Sequence, residues 1–409
     1  MGSMKVLLLS AALAALAAPG RAHAQAAPPS AASPPLRIGL ASDLTGPYAA
    51  LGGKGALLGA QMAVEDFGGT VLGRKIELLQ NDTQNKPDVG VNFVREWFER
   101  QNVRAVLDGS ASSVGLAIQT LAKQSGRMFL SSGSFTSELV GASCTPSTIQ
   151  FIPNTRGLAV AGLQQAIADG VDTWYFLTPD YAFGHALQRD ATGLIQAAGG
   201  KVLGAALHPL AQSDLSAYLV RARSSGAKGL AIASAGGDLV NAVKQIKEFG
   251  LAGGPMRIYG LLVNFSDLEA LGDEAQGLRF VTSTYWARDD KTRAWSQRFM
   301  ARHGGRQPTM VHSMSYSATL HYLKAVQAAG TDDTEAVLAK MRATPVDDVW
   351  IENASIRADG RVMNDLYTAR VRKPGEVADK RDTVALEARV PAERLYAGES
   401  ACPLMRPAN

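Results

Sequence analysis

The sequence predicts an α/β fold made of two Rossmann-like units, each a parallel sheet covered by helices. Three observations carry this prediction. Short apolar runs alternate with helical patterns from Leu36 onward, and the alternation restarts after Pro153. Prolines and glycines also sit where helices should begin and end.

Leu36 to Ala41 is apolar and short enough for a strand, and Leu57, Ala60, Val64 and Phe67 then repeat at helical spacing. Lys75 to Leu79 is the second strand. Pro87 opens a helix that carries Val89, Phe93 and Trp97 on one face. Strand 105–107, helix 113–123 and strand 128–130 complete a β-α-β-α-β-α-β run, the pattern of a parallel sheet covered on both faces. The second unit reads as helix 158–168, strand 173–177, helix 186–197 closed by Gly199-Gly200, strand 202–207, helix 215–222 and strand 230–233. Leu239, Val243 and Ile246 form a helix ended by Gly250. Strands 258–263 and 278–281 follow, then helices 293–302, 315–329 and 335–342. Segments 365–371 and 383–386 read as a β-hairpin.

The first 24 residues read as a secretion signal. Lys5 precedes a 13-residue apolar stretch, Val6 to Ala18, too short to span a bilayer; Ala22-His23-Ala24 then fits a cleavage site after Ala24. Residues 25–35 are a Pro/Ala/Ser linker. Without Lys5 and Arg21 the chain carries 39 basic and 37 acidic residues, with no basic run, so nucleic acid is not an expected partner. Export places the chain in an oxidising compartment, where the two cysteines, Cys144 and Cys402, are expected to be bridged.

In open α/β sheets, ligands bind beyond the carboxyl ends of the strands. The loops there are rich in Ser, Thr, Gly and aromatic residues, which suits a small anion or carboxylate. Motifs for chemistry fail. Around Leu51-Gly52-Gly53-Lys54-Gly55, Tyr48 replaces the first glycine of a phosphate loop and Gly55 its Ser/Thr. HExxH, CxxC and GxSxG are absent, and the six histidines lack metal-ligand spacing. The acidic pairs Asp289-Asp290, Asp332-Asp333 and Asp347-Asp348 are expected as caps at helix starts. No enzyme activity, metal or cofactor is expected.

The chain resembles the type I periplasmic solute-binding proteins of ABC transporters, in the leucine/isoleucine/valine-binding branch. The resemblance rests on Ile38-Gly39-Leu40 with Asp43-Leu44-Thr45-Gly46-Pro47, on Gly59-Ala60-Gln61-Met62-Ala63-Val64-Glu65-Asp66, on Leu79-Gln80-Asn81-Asp82-Thr83, and on Asp180-Tyr181-Ala182-Phe183-Gly184. It implies two lobes joined by three crossovers, with a ligand held between them. Lobe 1 would be residues 36–152 plus 283–350, lobe 2 residues 153–282 plus 351–392, and the tail 393–409 would return to lobe 1.

The resemblance also assigns a site. The carboxylate-binding serine falls on Ser112, beside Ser113. The small-x-Thr segment falls on Gly133-Ser134-Phe135, with Phe135 replacing the Thr and Thr136 next to it. The aromatic after the lobe 2 turn falls on Phe183. The ammonium-binding acid falls on Leu261 or Leu262, neither of which can pair with an ammonium; Asp238, from a neighbouring loop, could substitute. A buried ammonium without a carboxylate costs several kcal/mol, so a free α-amino acid is disfavoured. With Tyr48, Tyr285 and Trp286 also on loops, the expected ligand is a small organic carboxylate with an apolar or aromatic body. The expected protein is a periplasmic monomer that delivers this ligand to a membrane-embedded ABC permease. The alternatives are binding of a branched-chain or other amino acid, and a sensing module for a membrane receptor.

Overall fold

The structure is a computed structural model that describes residues 1–2, 33–109, 111–376, 382–398 and 401–405. Residues 1–33 and 34–409 are separate units. All but the first two residues of the predicted export signal, and the linker up to residue 32, lie outside the described residues. The unit 34–409 carries both parallel sheets.

Its first half alternates strictly: β1 (Leu36–Ser42), α1 (Gly53–Phe67), β2 (Thr70–Val71), β3 (Arg74–Asp82), α2 (Pro87–Arg100), β4 (Val103–Asp108), α3 (Ser112–Gln124), β5 (Met128–Ser131) and β6 (Thr148–Gln150). The strands form one sheet in the order β2-β3-β1-β4-β5-β6, parallel except for the short β2–β3 hairpin at one edge. β1 and β4 are central and covered on both faces, which is why they read as unbroken apolar runs: Leu36, Ile38, Leu40, Val103, Ala105, Val106 and Leu107 are all buried.

The second half repeats the scheme with α4 (Thr155–Ala168), β7 (Thr173–Pro179), α5 (Ala182–Ala197), β8 (Lys201–His208), α6 (Ser216–Ser224), β9 (Gly229–Ile232), α7 (Gly236–Glu248), β10 (Arg257–Gly260) and α8 (Phe265–Leu271). Its four strands are parallel in the order β10-β9-β7-β8. β8 lies at the edge and leaves Leu203 and Leu207 exposed. The chain continues through β11 (Arg279–Thr282), α9 (Asp290–Arg302), α10 (Met310–Ala329), α11 (Thr334–Ala343), β12 (Leu366–Val371), β13 (Val384–Val390) and α12 (Ala392–Leu395). The expected hairpin is β12–β13, and β11 adds to it as a third antiparallel strand, a pairing that the sequence pattern does not reveal.

Two lobes result, one on each parallel sheet, joined by three crossovers. Segments 150–152 and 361–364 are tied together by Arg361, a residue that no sequence motif singles out. Arg361 is wholly buried; it donates to the carbonyl of Phe151 at 3.2 Å and, by a shorter contact, to that of Ile152. It also reaches Gln150 Oε1 at 3.2 Å and Asn364 Oδ1 at 2.8 Å, and its guanidinium lies 4.7 Å from the Tyr396 ring centroid. Such a set of acceptors is what lets a cation stay in the interior. The residues around it, Val346 to Val362, form bridges among themselves and with β6.

Asp289 and Asp333 cap α9 and α11 as expected. Asp347-Asp348 does not begin a helix: Asp348 is half-buried and accepts the N–H groups of Trp350 and Ile351, closing a turn. Cys144 and Cys402 form a disulfide across 258 residues, with their Cα atoms 5.5 Å apart. Among the described residues no helix is long and apolar enough to cross a membrane.

Candidate functional site

The loops after β4 and β5 are organised by one carboxylate. Asp108 ends β4 and is wholly buried. Its Oδ1 accepts from Ser132 N at 2.9 Å and Gly133 N at 3.2 Å, and its Oδ2 accepts from the Ser134 hydroxyl in a short contact. Burial pushes the Asp108 carboxyl up to about 6, against the opposing pull of these hydrogen bonds. Gly133 and Ser134 are therefore committed to shaping the loop; Ser134 Oγ also lies 3.0 Å from the Ala111 carbonyl.

Ser112 differs. It is the first residue of α3, after an N-cap, Ala111, that supplies no side-chain acceptor. Its Oγ accepts from Thr136 N at 3.2 Å. Among the described residues its own proton has no acceptor, so Ser112 offers a free donor beside the uncapped N–H groups of the first turn of α3. Ser113 is half-buried next to it. Thr136 is buried, and its hydroxyl accepts the Glu138 N–H, capping a short turn.

The aromatic residues come from both lobes. Tyr48 sits on a loop held by Asp43, which accepts from Gly46 N at 2.7 Å and Tyr48 N at 2.9 Å. The Tyr48 hydroxyl donates to the Tyr181 hydroxyl at 2.6 Å, with ring centroids 6.2 Å apart. Tyr181 lies 6.0 Å from Phe183, and Phe183 lies 6.2 Å from Phe135. This series of rings passes from the first lobe to the second and back, so the lobes are closed on each other. Polar contacts reinforce the closure: Ser137 Oγ donates to Asp190 Oδ2 at 2.7 Å, and Glu138 pairs with Arg189. Burial raises the phenols of Tyr48 and Tyr181 above their usual value.

Asp238 lies in the first turn of α7 and is 4% exposed. The start of α7 comes so close to the first lobe that a Cβ on Gly236, at φ +56°, would stand 3.2 Å from the Pro47 carbonyl and 3.3 Å from the Tyr48 ring. Asp238 accepts from the Ala211 N–H, and its Oδ2 has no hydrogen-bond partner among the described residues. Burial pushes its carboxyl upward. Leu261 and Leu262, on which the resemblance puts the ammonium-binding position, are buried among apolar side chains.

Trp286 stands apart from the ring series. It packs edge-on to Tyr285 at 6.4 Å, lies 5.8 Å from the Arg293 guanidinium, and belongs to the core around Phe265 and Met300. Asp108 and Tyr181 stand in loops that the sequence assigns to the site, 108–113 and 179–184, without being singled out there as ligand-binding residues. Asp108 was visible as the polar end of an apolar strand, and Tyr181 as part of the same turn as Phe183. A surface cavity of 760 Å³, lined by Gln165, Arg257, Tyr259, Arg279 and Glu387 among others, lies against β10–β13, and none of the predicted site residues lines it.

Known proteins match this architecture over most of the chain. The family model of the periplasmic binding proteins matches residues 35–376. A periplasmic binding protein of Burkholderia mallei superposes with a TM-score of 0.88 at 38% identity, over 91% of this chain and 99% of that one. A branched chain amino acid ABC transporter periplasmic ligand-binding protein of Burkholderia xenovorans gives 0.80 at 32% identity, over 90% and 99%. The Leu/Ile/Val-binding protein homolog 6 of Brucella melitensis is 25% identical over 247 residues, 59% of this chain; the match spans only 63% of that relative's length. The closed two-lobed architecture and these matches make the chain a member of the type I periplasmic binding proteins, in the leucine/isoleucine/valine-binding family.

Proposed function

We propose that the protein is the periplasmic binding component of an ABC uptake transporter and that it holds a small organic carboxylate, with an apolar or aromatic body, between its lobes. The observation that carries this reading is the hydroxyl proton of Ser112, without an acceptor among the described residues, at the uncapped start of α3; its Oγ meets the N–H of Thr136, the residue next to the Phe135–Phe183 contact. A carboxylate would take that proton and the N–H groups of the helix start. Tyr48, Tyr181, Phe135 and Phe183 would enclose its body. The ligand would be delivered to a membrane-embedded permease by a monomer that opens at the crossovers. For the lobes we keep the bounds read from the sequence, with one change: the bridge of Arg361 to Gln150 of β6 favours a third crossover near residue 364 instead of 350.

The second reading is a branched-chain amino acid, favoured by the name of the Burkholderia xenovorans relative. Against it stand Leu261 and Leu262, where an ammonium would need an acid. Native mass spectrometry of the purified protein, followed by calorimetry with benzoates, phenylpropanoids, aliphatic acids and leucine, separates the two. The proposal expects retained or added carboxylates without an amino group. Tight binding of leucine, with no response to the other acids, overturns it.

A further inference from the structure

The closed cleft contains a second polar position, opposite in character to Ser112. Asp238 is buried, and among the described residues its Oδ2 accepts no hydrogen bond. An acceptor left bare in the interior is costly, and such atoms in native folds call for an explanation. Two residues before it in the same helical turn, Gly236 lies against the ring of Tyr48, whose hydroxyl is bonded to Tyr181; the Asp238 charge also raises both phenols. Only one of the two phenolic protons is used in the bond between them, because Tyr48 donates to Tyr181 and the Tyr181 proton has no acceptor among the described residues. The site thus presents one unused acceptor and one unused donor together, at the point where the Gly236 turn brings α7 against the first-lobe loop.

This combination selects among polar groups. An ammonium has only donors to offer: it would satisfy Asp238 and leave the tyrosine proton stranded. A carboxylate or ketone oxygen would satisfy the tyrosine and leave Asp238 bare. A hydroxyl does both, donating to Asp238 Oδ2 while accepting from the tyrosine pair. We propose that the ligand is a hydroxylated carboxylic acid whose hydroxyl is bound between Asp238 and the Tyr48–Tyr181 pair. This rests on the carboxylate reading above and adds the second functional group.

The test is calorimetry on the full mature chain with matched pairs: 4-hydroxybenzoate against benzoate, 4-hydroxyphenylacetate against phenylacetate, and 2-hydroxy-4-methylpentanoate against both 4-methylpentanoate and leucine. The expected result is that, in at least one pair, the hydroxylated acid binds about tenfold or more tightly than its plain counterpart, because the plain acid leaves both protein groups unpaired. Asp238→Ala and Tyr181→Phe, each checked for an intact melting transition, should shrink that preference, read as the ratio of the two affinities within each variant, to about threefold or less. Two variants are used so that misfolding of one leaves the other to decide. Equal binding of hydroxylated and plain acids overturns the inference and leaves the carboxylate reading standing. So does a preference unchanged in both variants. Leucine binding more tightly than its hydroxy analogue assigns the position to an ammonium and overturns it too. If no acid of any pair binds, the carboxylate reading fails, and this inference with it.

Discussion

Ser112 and Ser134 are chemically identical side chains two loops apart, and the structure gives them different work. Ser134 spends its hydroxyl on Asp108, a carboxylate wholly inside the fold. Ser112 receives a backbone N–H and keeps its own proton. Replacing Ser112 by Ala should therefore weaken carboxylate binding by roughly 1–3 kcal/mol and, because it strands the buried Thr136 N–H, lower stability by about 1–3 kcal/mol as well. Calorimetry and thermal melting of the same variant check both halves; an unchanged affinity would remove Ser112 from the site. The resemblance placed both serines in the site by sequence position, but a residue's position does not reveal which group receives its proton. That depends on Asp108, which is 26 residues away from Ser134 in sequence and adjacent only once β4 and β5 pair.

At the scale of elements, alternation and punctuation were enough to read most strands and helices of both sheets, because buried parallel strands are unbroken apolar runs and their helices carry one apolar face. What escaped were features made by distant partners: the joining of β11 to the hairpin, the turn closed by Asp348, and the hold of Arg361 on segment 150–152. The packing of α1 on α10 is another. A Cβ on Gly59 would run into the His312 carbonyl, and one on Gly55 into the His312 ring. Gly59→Ala meets backbone, which cannot swing aside, so it should cost about 1–3 kcal/mol in denaturant unfolding despite the better helix propensity of Ala. The same junction carries a pH dependence. His312 accepts from Thr309 N through Nδ1 and faces the Gly52 carbonyl through Nε2, so the neutral ring is held. Burial above all, then the nearby His303, depresses it from 6.5 to about 3. Between those values the unfolded chain takes up a proton that the folded chain refuses, so this contribution is full above about 6.5 and is lost as pH falls toward 3. Comparing unfolding free energies of wild type and His312→Gln from pH 7 to 4 should show the wild-type advantage shrinking with acid. A constant difference would mean that the ring does not titrate in this way.

Over the whole molecule, the end of the chain is tied back to its first lobe. Cys402 is buried and bonded to Cys144, and between them the tail lays α12 on α4 and sets Tyr396 over Arg361, the cation that binds segments 150–152 and 361–364 together. Arg156 and Arg357 also donate to the tail carbonyls of Ala397 and Tyr396. The disulfide therefore does two things. It constrains the unfolded chain, for which the loop-entropy model gives at most about 5 kcal/mol at this separation. It also holds in place the aromatic lid of the hinge cation. Replacing both cysteines by serine should lower unfolding free energy by roughly 2–5 kcal/mol. If the second role is real, hydrogen exchange should rise not only in residues 392–398 but also around Phe151, Ile152 and Arg361, where the backbone carbonyls receive the guanidinium. A stability loss with unchanged exchange at those three residues would confine the bridge to the unfolded chain and leave the hinge held by Arg361 and its acceptors alone.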